Sequence, residues 1–202
     1  MTLPKPYYQD SAVTLFHGDC REIVPLLGRF DLLLTDPPYG LALSGGTWGK
    51  RFSGEYRGWD NGIAEIGPLL AKAEKSIVWG GNYYDLPPCR GFLVWDKGEQ
   101  FYGRTFGEAE FAWTNLDMPA RIFKHGNRDE AKEHPTQKPF ELMRWCLGYV
   151  PAAVTVLDPF AGSGTTGRAC KDLGRKCVMI EREEKYCEIA ARRMGQEVLN
   201  LT

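Results

Sequence analysis

Four residues, Asp36-Pro-Pro-Tyr39, place a carboxylate, two prolines and an aromatic ring directly after an apolar run that is typical of a buried strand. The two prolines lack backbone donors and restrict the chain, so the carbonyl oxygens of Asp36 and Pro37 cannot be used up in a helix. Two acceptors on the N–H bonds of an exocyclic amine would make its nitrogen more nucleophilic towards an electrophilic methyl group. Tyr39 would stack on the base that carries this amine. A rigid exit from the strand is the alternative explanation.

A glycine-rich loop near the C-terminus is the second candidate site. Residues 162–167 read Gly-Ser-Gly-Thr-Thr-Gly between a predicted strand and a predicted helix, and Glu181 closes the next strand about 20 residues on. This pattern predicts a nucleoside cofactor whose ribose hydroxyls bind the acid. Asp158, at the strand end, disfavours phosphate and favours a cationic cofactor such as S-adenosylmethionine. The alternative is a structural tight turn in which Asp158 fixes the loop.

Basic and aromatic residues are interleaved in two stretches, 40–61 and 98–133, which fit no predicted element pattern and are expected to contact nucleic acid. A small amphipathic helix is the alternative for the first stretch, and a solvated loop for the second. An amine inside a duplex must be flipped out, or the substrate must be single-stranded. The candidate contacts are Trp48, Lys50, Arg51, Arg57, Arg121, Lys124 and Arg128.

Short apolar strands alternating with helices must position these residues. The pattern predicts one α/β domain over residues 1–202, with a doubly wound, mostly parallel seven-stranded sheet and helices on both faces. The predicted helices cover residues 21–27, 64–74, 140–149, 167–174 and 184–194. The predicted strands are Val13–Phe16, Phe30–Thr35, Ser76–Trp79, Phe92–Trp95, Glu110–Trp113, Val154–Leu157 and Lys176–Ile180.

The amino-acid composition limits which classes of protein this chain can belong to. The 202 residues are 43% hydrophobic and 25% charged, as in a soluble globular domain. The net charge of −1 means that any nucleic-acid contact must depend on local positive charge. We find no apolar run long enough for a transmembrane helix and no signal peptide, so we expect a cytoplasmic protein without a membrane partner. The six cysteines lack zinc spacing, and no metal is expected.

Three motifs together resemble a known family, the S-adenosylmethionine-dependent amino methyltransferases of DNA, which make N6-methyladenine or N4-methylcytosine. The motifs are Asp36-Pro-Pro-Tyr39, His134-Pro-Thr-Gln-Lys-Pro139 and Asp158-Pro-Phe-Ala-Gly-Ser-Gly-Thr-Thr166. Their order is similar to that of the circularly permuted β group. The resemblance implies a circularly permuted, Rossmann-like methyltransferase fold. In such a fold the N-terminal strand lies beside the C-terminal helix, with the two termini close together on one side.

The resemblance also implies roles for individual residues. Asp36, Pro37 and Tyr39 would take the target base, with Asp36 also at the cofactor. Asp19 would accept from the adenine amino group of the cofactor near the Cys20 backbone, Glu181 would bind the ribose, and Arg182 would lie beside the adenosine. The methionine end of S-adenosylmethionine would contact His134, Thr136, Lys138, Phe160, Gly162, Ser163, Gly164 and Thr165.

We therefore expect a site-specific DNA methyltransferase, associated with restriction-modification, that acts on adenine N6. Asp36, where serine is the other option, favours adenine, and cytosine N4 is the alternative. A catalytically inactive or partner-dependent homologue and a nicotinamide-dependent oxidoreductase also stay open. The stretch from Tyr39 to His134 is too short for a large target-recognition domain. DNA recognition must use the two irregular stretches or a partner chain, and a homodimer or a partner subunit stays open.

Overall fold

The computed structural model describes residues 2–40, 64–104, 107–126 and 137–196. Within them one sheet runs through the whole molecule, and five α-helices flank it. The helices are α1 Cys20–Ile23, α2 Gly67–Leu70, α3 Phe140–Gly148, α4 Thr165–Asp172 and α5 Glu184–Gly195. The strands are β1 Tyr8–Gln9, β2 Val13–His17, β3 Phe30–Thr35, β4 Ala73–Trp79, β5 Phe92–Asp96, β6 Ala109–Thr114, β7 Arg121–Lys124, β8 Thr155–Asp158 and β9 Lys176–Glu181.

The strand order is β1-β2-β9-β8-β3-β4-β6-β5-β7. Strands β2, β9, β8, β3 and β4 form a parallel centre, whereas β1 and β6 run antiparallel to their neighbours. The doubly wound, mostly parallel class is confirmed, but the expected number of seven strands is wrong, because nine are present in the described residues. Sequence analysis missed β1, which is too short to show alternation, and β7, whose two ends are basic.

Two further expectations need correction. The helix expected over residues 64–74 is only one turn, Gly67–Leu70, because Ala73 already begins β4 and its side chain is buried. The stretch 98–133 is not irregular throughout, since β6 and β7 lie in it and β7 pairs in parallel with β5. Of the other stretch expected to be irregular, 40–61, all but Gly40 lies outside the described residues.

Alternate residues of the strands face two separate helical layers. In β3, Leu32 and Leu34 pack in the cluster that includes residues of α3, α4 and α5, whereas Leu33 packs with residues of α1 and α2 on the opposite face. All three leucines are fully buried. Helices therefore cover both faces of the parallel centre, as the continuous apolar pattern of this strand predicts. No helix in the described part of the chain is long and apolar enough to span a membrane.

The first and last described segments of the chain meet, as the permuted motif order predicts. Strand β2 pairs in parallel with β9, so that Leu15 is the register partner of Met179, and α5 packs on β2. The Lys171 ammonium group lies 2.6 Å from the Asp10 carboxylate and donates to the Met194 carbonyl at 2.7 Å. One side chain thus joins the first and last described segments.

The close packing of Gly81, in the turn after β4, predicts that an alanine there destabilises the protein more than an alanine at an uncrowded glycine. A Cβ on Gly81 would lie 2.3 Å from the Trp113 Cβ and 2.7 Å from the Trp113 backbone nitrogen, so β6 would have to move. We expect Gly81→Ala to lower the free energy of unfolding by ~1–3 kcal/mol. Gly148→Ala is the control, because Gly148 is helical and open space surrounds its Cβ position. Equal denaturation midpoints for the two variants would contradict this packing.

Candidate active site

The glycine loop lies at the carboxyl end of β8 and turns back against α5. Gly162 and Gly164 have φ angles of 50° and 79°, which glycine adopts without strain. A Cβ on Gly164 would lie 2.9 Å from the Cβ of Ala190 in α5, so the loop also depends on this close approach. The loop is therefore a tight turn, in which the Gly164 N–H donates to the Ala161 carbonyl at 2.8 Å.

Glu181 connects this loop to the carboxyl end of β9. Its Oε2 accepts from the Gly162 N–H at 2.8 Å, and its Oε1 accepts from the Glu183 N–H at 2.8 Å. Burial raises the pKa of this carboxyl, and the backbone N–H groups oppose the rise. The side chain remains half-buried, and a carboxylate oxygen has lone pairs for further donors. Glu181 can therefore still accept from a hydroxyl group in the cleft.

Asp19 lies at the carboxyl end of the neighbouring strand, β2. The Gly18 N–H donates to the Glu181 carbonyl at 2.9 Å, which brings the ends of β2 and β9 together. The Asp19 side chain accepts from the Arg21 N–H at 2.8 Å, and the bonds from Arg21 lower the pKa of Asp19. Cys20 follows as the first residue of α1, and burial raises the pKa of its thiol to about 11.

Asp158 fixes the start of the loop. It is buried, and its Oδ1 accepts from the Thr35 hydroxyl at 2.8 Å and from the Phe160 N–H at 3.2 Å. Burial raises the pKa of Asp158 to about 6, against the hydrogen bonds from Thr166, Thr35 and Phe160. The loop-fixing alternative for this residue therefore has direct structural support.

The bond from Thr35 to Asp158 also places the Asp36 turn beside the glycine loop. Thr35 is the last residue of β3, and β3 pairs in parallel with β8 through Leu33 and Leu157. Parallel neighbours end at the same edge of a sheet, where α/β proteins bind their ligands. The two motifs that the sequence separates by more than a hundred residues thus share one edge.

A buried lysine, Lys138, holds the Asp36 carboxylate. Its ammonium nitrogen lies 2.5 Å from Asp36 Oδ2, 3.0 Å from Glu110 Oε2 and 3.3 Å from the Tyr39 hydroxyl. The Tyr39 hydroxyl donates to the other Asp36 oxygen, Oδ1. Burial raises the pKa of Asp36, and the charge of Lys138 opposes that rise. Burial lowers the pKa of Lys138, but its two carboxylate neighbours outweigh this effect and raise it.

The Tyr39 ring packs against the turn after β4. A Cβ on Gly80 would lie 2.0 Å from Cε1 of Tyr39, so the ring needs a glycine there. On its other side Tyr39 stacks on Tyr83 with ring centres 4.9 Å apart. The Tyr84 hydroxyl donates to the carbonyls of Pro37 and Pro38, at 3.1 and 2.8 Å. The expected acceptor on Pro37 is therefore shared with Tyr84, although a carbonyl oxygen can accept twice.

The chain just before α3 contacts the glycine loop. The Ser163 hydroxyl donates to Gln137 Oε1 at 3.0 Å, and Arg193 of α5 donates to the Ser163 carbonyl at 2.8 Å. Because Lys138 follows Gln137, one short segment touches both the loop and Asp36. Thr165 begins α4 and is buried, whereas Arg182 is exposed and pairs with Glu183 at 3.3 Å.

The structure brings most of the described candidates to one edge. Arg121 and Lys124 do not join them, because they lie on the outermost strand β7, where Lys124 pairs with Glu99 at 3.1 Å. Sequence analysis missed Glu110, whose only signal is a carboxylate inside the apolar strand β6. The candidates outside the described residues are Trp48, Lys50, Arg51, Arg57, Arg128, His134 and Thr136. Those brought together are Asp19, Cys20, Asp36, Pro37, Tyr39, Lys138, Asp158, Phe160, Gly162, Ser163, Gly164, Thr165, Glu181 and Arg182.

The fold and site define an α/β protein whose glycine loop and Asp-Pro-Pro-Tyr turn share one edge of the sheet, and comparison with known proteins gives the family. Residues 71–192, more than half of the chain, match the N6_N4_Mtase family model, described as DNA methylase. The chain therefore belongs to this family of DNA amino methyltransferases, and the resemblance inferred from the motifs is confirmed.

Similar proteins agree along nearly the whole chain. The Type II methyltransferase M2.LlaDCHI of Lactococcus lactis subsp. cremoris is 27% identical in an alignment that covers 96% of this chain and 93% of that protein. M2.DpnII of Streptococcus pneumoniae is 26% identical, covering 96% and 94%.

Two solved structures share the fold. The M1.HpyAVI–SAM complex has a TM-score of 0.58 and 24% identity, covering 91% of this chain and all of that one. The PvuII cytosine-N4-specific DNA methyltransferase has a TM-score of 0.64 and 16% identity, covering 98% and 91%.

The raised pKa of Asp158 predicts how its replacement changes stability with pH. The folded protein holds this proton up to a pKa of about 6, against an ordinary value of 3.8, so stability is lost as the pH rises through that window. Asp158→Asn keeps an acceptor oxygen without the charge. Between about pH 4 and 7.5, we expect the wild type to lose about 2 kcal/mol relative to this variant. Denaturant titrations at both pH values measure it, and equal losses would contradict the assignment.

Proposed function

We propose that this protein is a site-specific methyltransferase that transfers a methyl group from S-adenosylmethionine to the N6 amine of adenine in DNA. The observation that carries the proposal is the shared edge of the sheet, where the Thr35–Asp158 hydrogen bond joins the Asp36 turn to the glycine loop. The curated relatives are Type II methyltransferases, which also supports a role in restriction-modification.

This edge of the sheet fits S-adenosylmethionine better than a pyrophosphate cofactor. Asp158 and Glu181 end the neighbouring strands β8 and β9, Asp19 follows β2, and these three carboxyl groups would repel phosphate. A sulfonium and an ammonium group suit the same surroundings. Glu181 would accept from the ribose hydroxyls, Asp19 from the adenine amine, and the glycine loop would hold the methionine end. This charge pattern argues against the nicotinamide-dependent alternative.

The chain's own residues would orient the target amine. When bound, S-adenosylmethionine supplies an electrophilic methyl group that an amine nitrogen can attack as the carbon–sulfur bond breaks. The Asp36 carboxylate and the Pro37 carbonyl would accept the two N–H bonds of the amine. The Tyr39 hydroxyl already donates to Asp36 Oδ1, and this oxygen can accept a second donor from the entering base. The Tyr39 ring would stack on the base.

Adenine is the first candidate because the family resemblance associates Asp36, in place of serine, with adenine. Cytosine N4 is the second candidate, because the PvuII enzyme of similar fold is named cytosine-N4-specific and the same two acceptors could bind either amine. DNA contacts would come from Trp48, Lys50, Arg51, Arg57, Arg128 and the β7 residues Arg121 and Lys124. Cytoplasmic location remains a prediction, and a homodimer or a partner subunit stays open.

Methyl transfer can be measured directly. Purified protein, labelled S-adenosylmethionine and unmethylated plasmid are expected to give labelled DNA, and nucleoside analysis is expected to yield N6-methyladenine. Asp36→Ala removes one acceptor, and we expect the rate to fall by ~10²–10³-fold while binding of S-adenosylhomocysteine stays within a few-fold. N4-methylcytosine as product would favour the second candidate. No transfer to any DNA, duplex or single-stranded, would contradict the proposed function.

Glu181 gives a separate test of the cofactor. Glu181→Gln removes a charged acceptor, and we expect the affinity for S-adenosylhomocysteine to fall by ~10–100-fold in calorimetry. Glu74→Gln is the matched control, because the Glu74 side chain is exposed at the start of β4 and pairs with Lys75 away from the site. Equal affinities for all three proteins, or tighter binding of NADH than of S-adenosylhomocysteine, would count against this site.

A further inference from the structure

We propose that Glu110 is a positioning residue for the reaction, because it holds Lys138 against Asp36 and so keeps the Asp36 carboxylate oriented and ionised. The inference rests on the proposed function, in which Asp36 accepts an N–H bond of the target amine. Glu110 lies on β6, which follows β4 in the sheet, so it reaches the site from the side opposite the cofactor loop.

Four charged side chains form a continuous chain that is buried at Lys138 and partly buried at Asp36, Lys97 and Glu110. Lys97 lies 2.7 Å from Glu110 Oε1, Lys138 lies 3.0 Å from Glu110 Oε2, and Lys138 reaches Asp36 Oδ2 at 2.5 Å. The exposed fractions of the Lys97 and Lys138 side chains are only 13% and 5%. Each Glu110 oxygen therefore forms an ion pair with a different lysine. The Lys138 ammonium group is held by two carboxylates, those of Asp36 and Glu110, rather than by one.

The charges of this chain balance, which explains how it can be buried in the sheet. Two carboxylates and two ammonium groups are present, whereas an unpaired buried charge would cost several kcal/mol. Burial raises the pKa of Glu110, but Lys138 and Lys97 outweigh that effect and hold it at about 2. Glu110 is therefore ionised at neutral pH. The Lys138 ammonium also lies 5.9 Å from the Trp79 ring centre, so the Trp79 ring restricts its movement on that side.

The two ways in which Glu110 could act on Asp36 have opposite signs. As a bare negative charge, Glu110 raises the pKa of Asp36, so its removal would lower that pKa. As the residue that holds Lys138, it keeps the opposing positive charge in place, so its removal would raise the pKa of Asp36. The other titratable groups that face Asp36 are Tyr39 and, at the end of β8, Asp158. The charge of Glu110 also raises the pKa of Tyr39, but burial is the larger cause and keeps Tyr39 protonated when Glu110 is replaced.

The test is the titration of the Asp36 carboxyl carbon by NMR in protein labelled with 13C-aspartate, assigned with Asp36→Asn. In Glu110→Gln we expect the pKa of Asp36 to rise by about one unit or more. In the Lys138→Met background, the same substitution is expected to give no further rise. Glu74→Gln, which neutralises an exposed carboxylate at the other end of β4, is expected to leave the titration unchanged.

A pKa of Asp36 that falls or stays constant in Glu110→Gln, or that rises equally in the Lys138→Met background, would overturn the inference. If Glu110→Gln no longer binds S-adenosylhomocysteine, Lys97→Met/Glu110→Gln keeps the charge balanced, and the same criteria apply to it. The acidic limb of the methyl-transfer rate is expected to move to higher pH with the NMR titration. Absence of transfer by the wild type would refute the proposed function, whereas the carboxyl titration would still decide the role of Glu110.

Discussion

The hydrogen bond between Thr35 and Asp158 is the contact on which the candidate site depends. It crosses from β3 to β8 at the carboxyl edge, where one strand leads into the Asp-Pro-Pro-Tyr turn and the other into the glycine loop. Because both groups are buried, the bond fixes the distance between the two motifs without competition from water. The geometry of methyl transfer would follow from this pairing of central strands rather than from flexible loops.

The site also shows how a largely apolar sheet can contain charge. Strands β3 and β8 are almost entirely buried, yet Asp36 and Lys138 lie beside their ends, and Glu110 reaches them from β6. Mutual pairing makes this arrangement tolerable, and the same pairing restricts the motion of each group. An acceptor held in this way needs little reorganisation when an amine binds, which is how preorganised sites accelerate reactions.

Much of this arrangement could be predicted from the sequence because local patterns carry it. The apolar run of β3 and the glycine loop with Glu181 are each encoded within a few neighbouring residues. The partners of Lys138 could not be predicted, because Asp36 and Glu110 come from distant parts of the chain and meet only through the strand order. For the same reason the sequence around Arg121 and Lys124 did not predict that these residues belong to an edge strand. Site residues within a local motif could be predicted from the sequence, whereas ion pairs between distant residues could be identified only from the folded structure.

The most direct test of the central claim is a crystal structure of the protein with bound S-adenosylmethionine. The account predicts that the sulfonium methyl group points across the cleft towards Asp36. The methyl carbon should then lie ~3–3.5 Å from the place that an amine nitrogen held by the Asp36 carboxylate would occupy. A ligand that binds on the other side of the glycine loop, with its methyl group directed away from Asp36, would contradict the account.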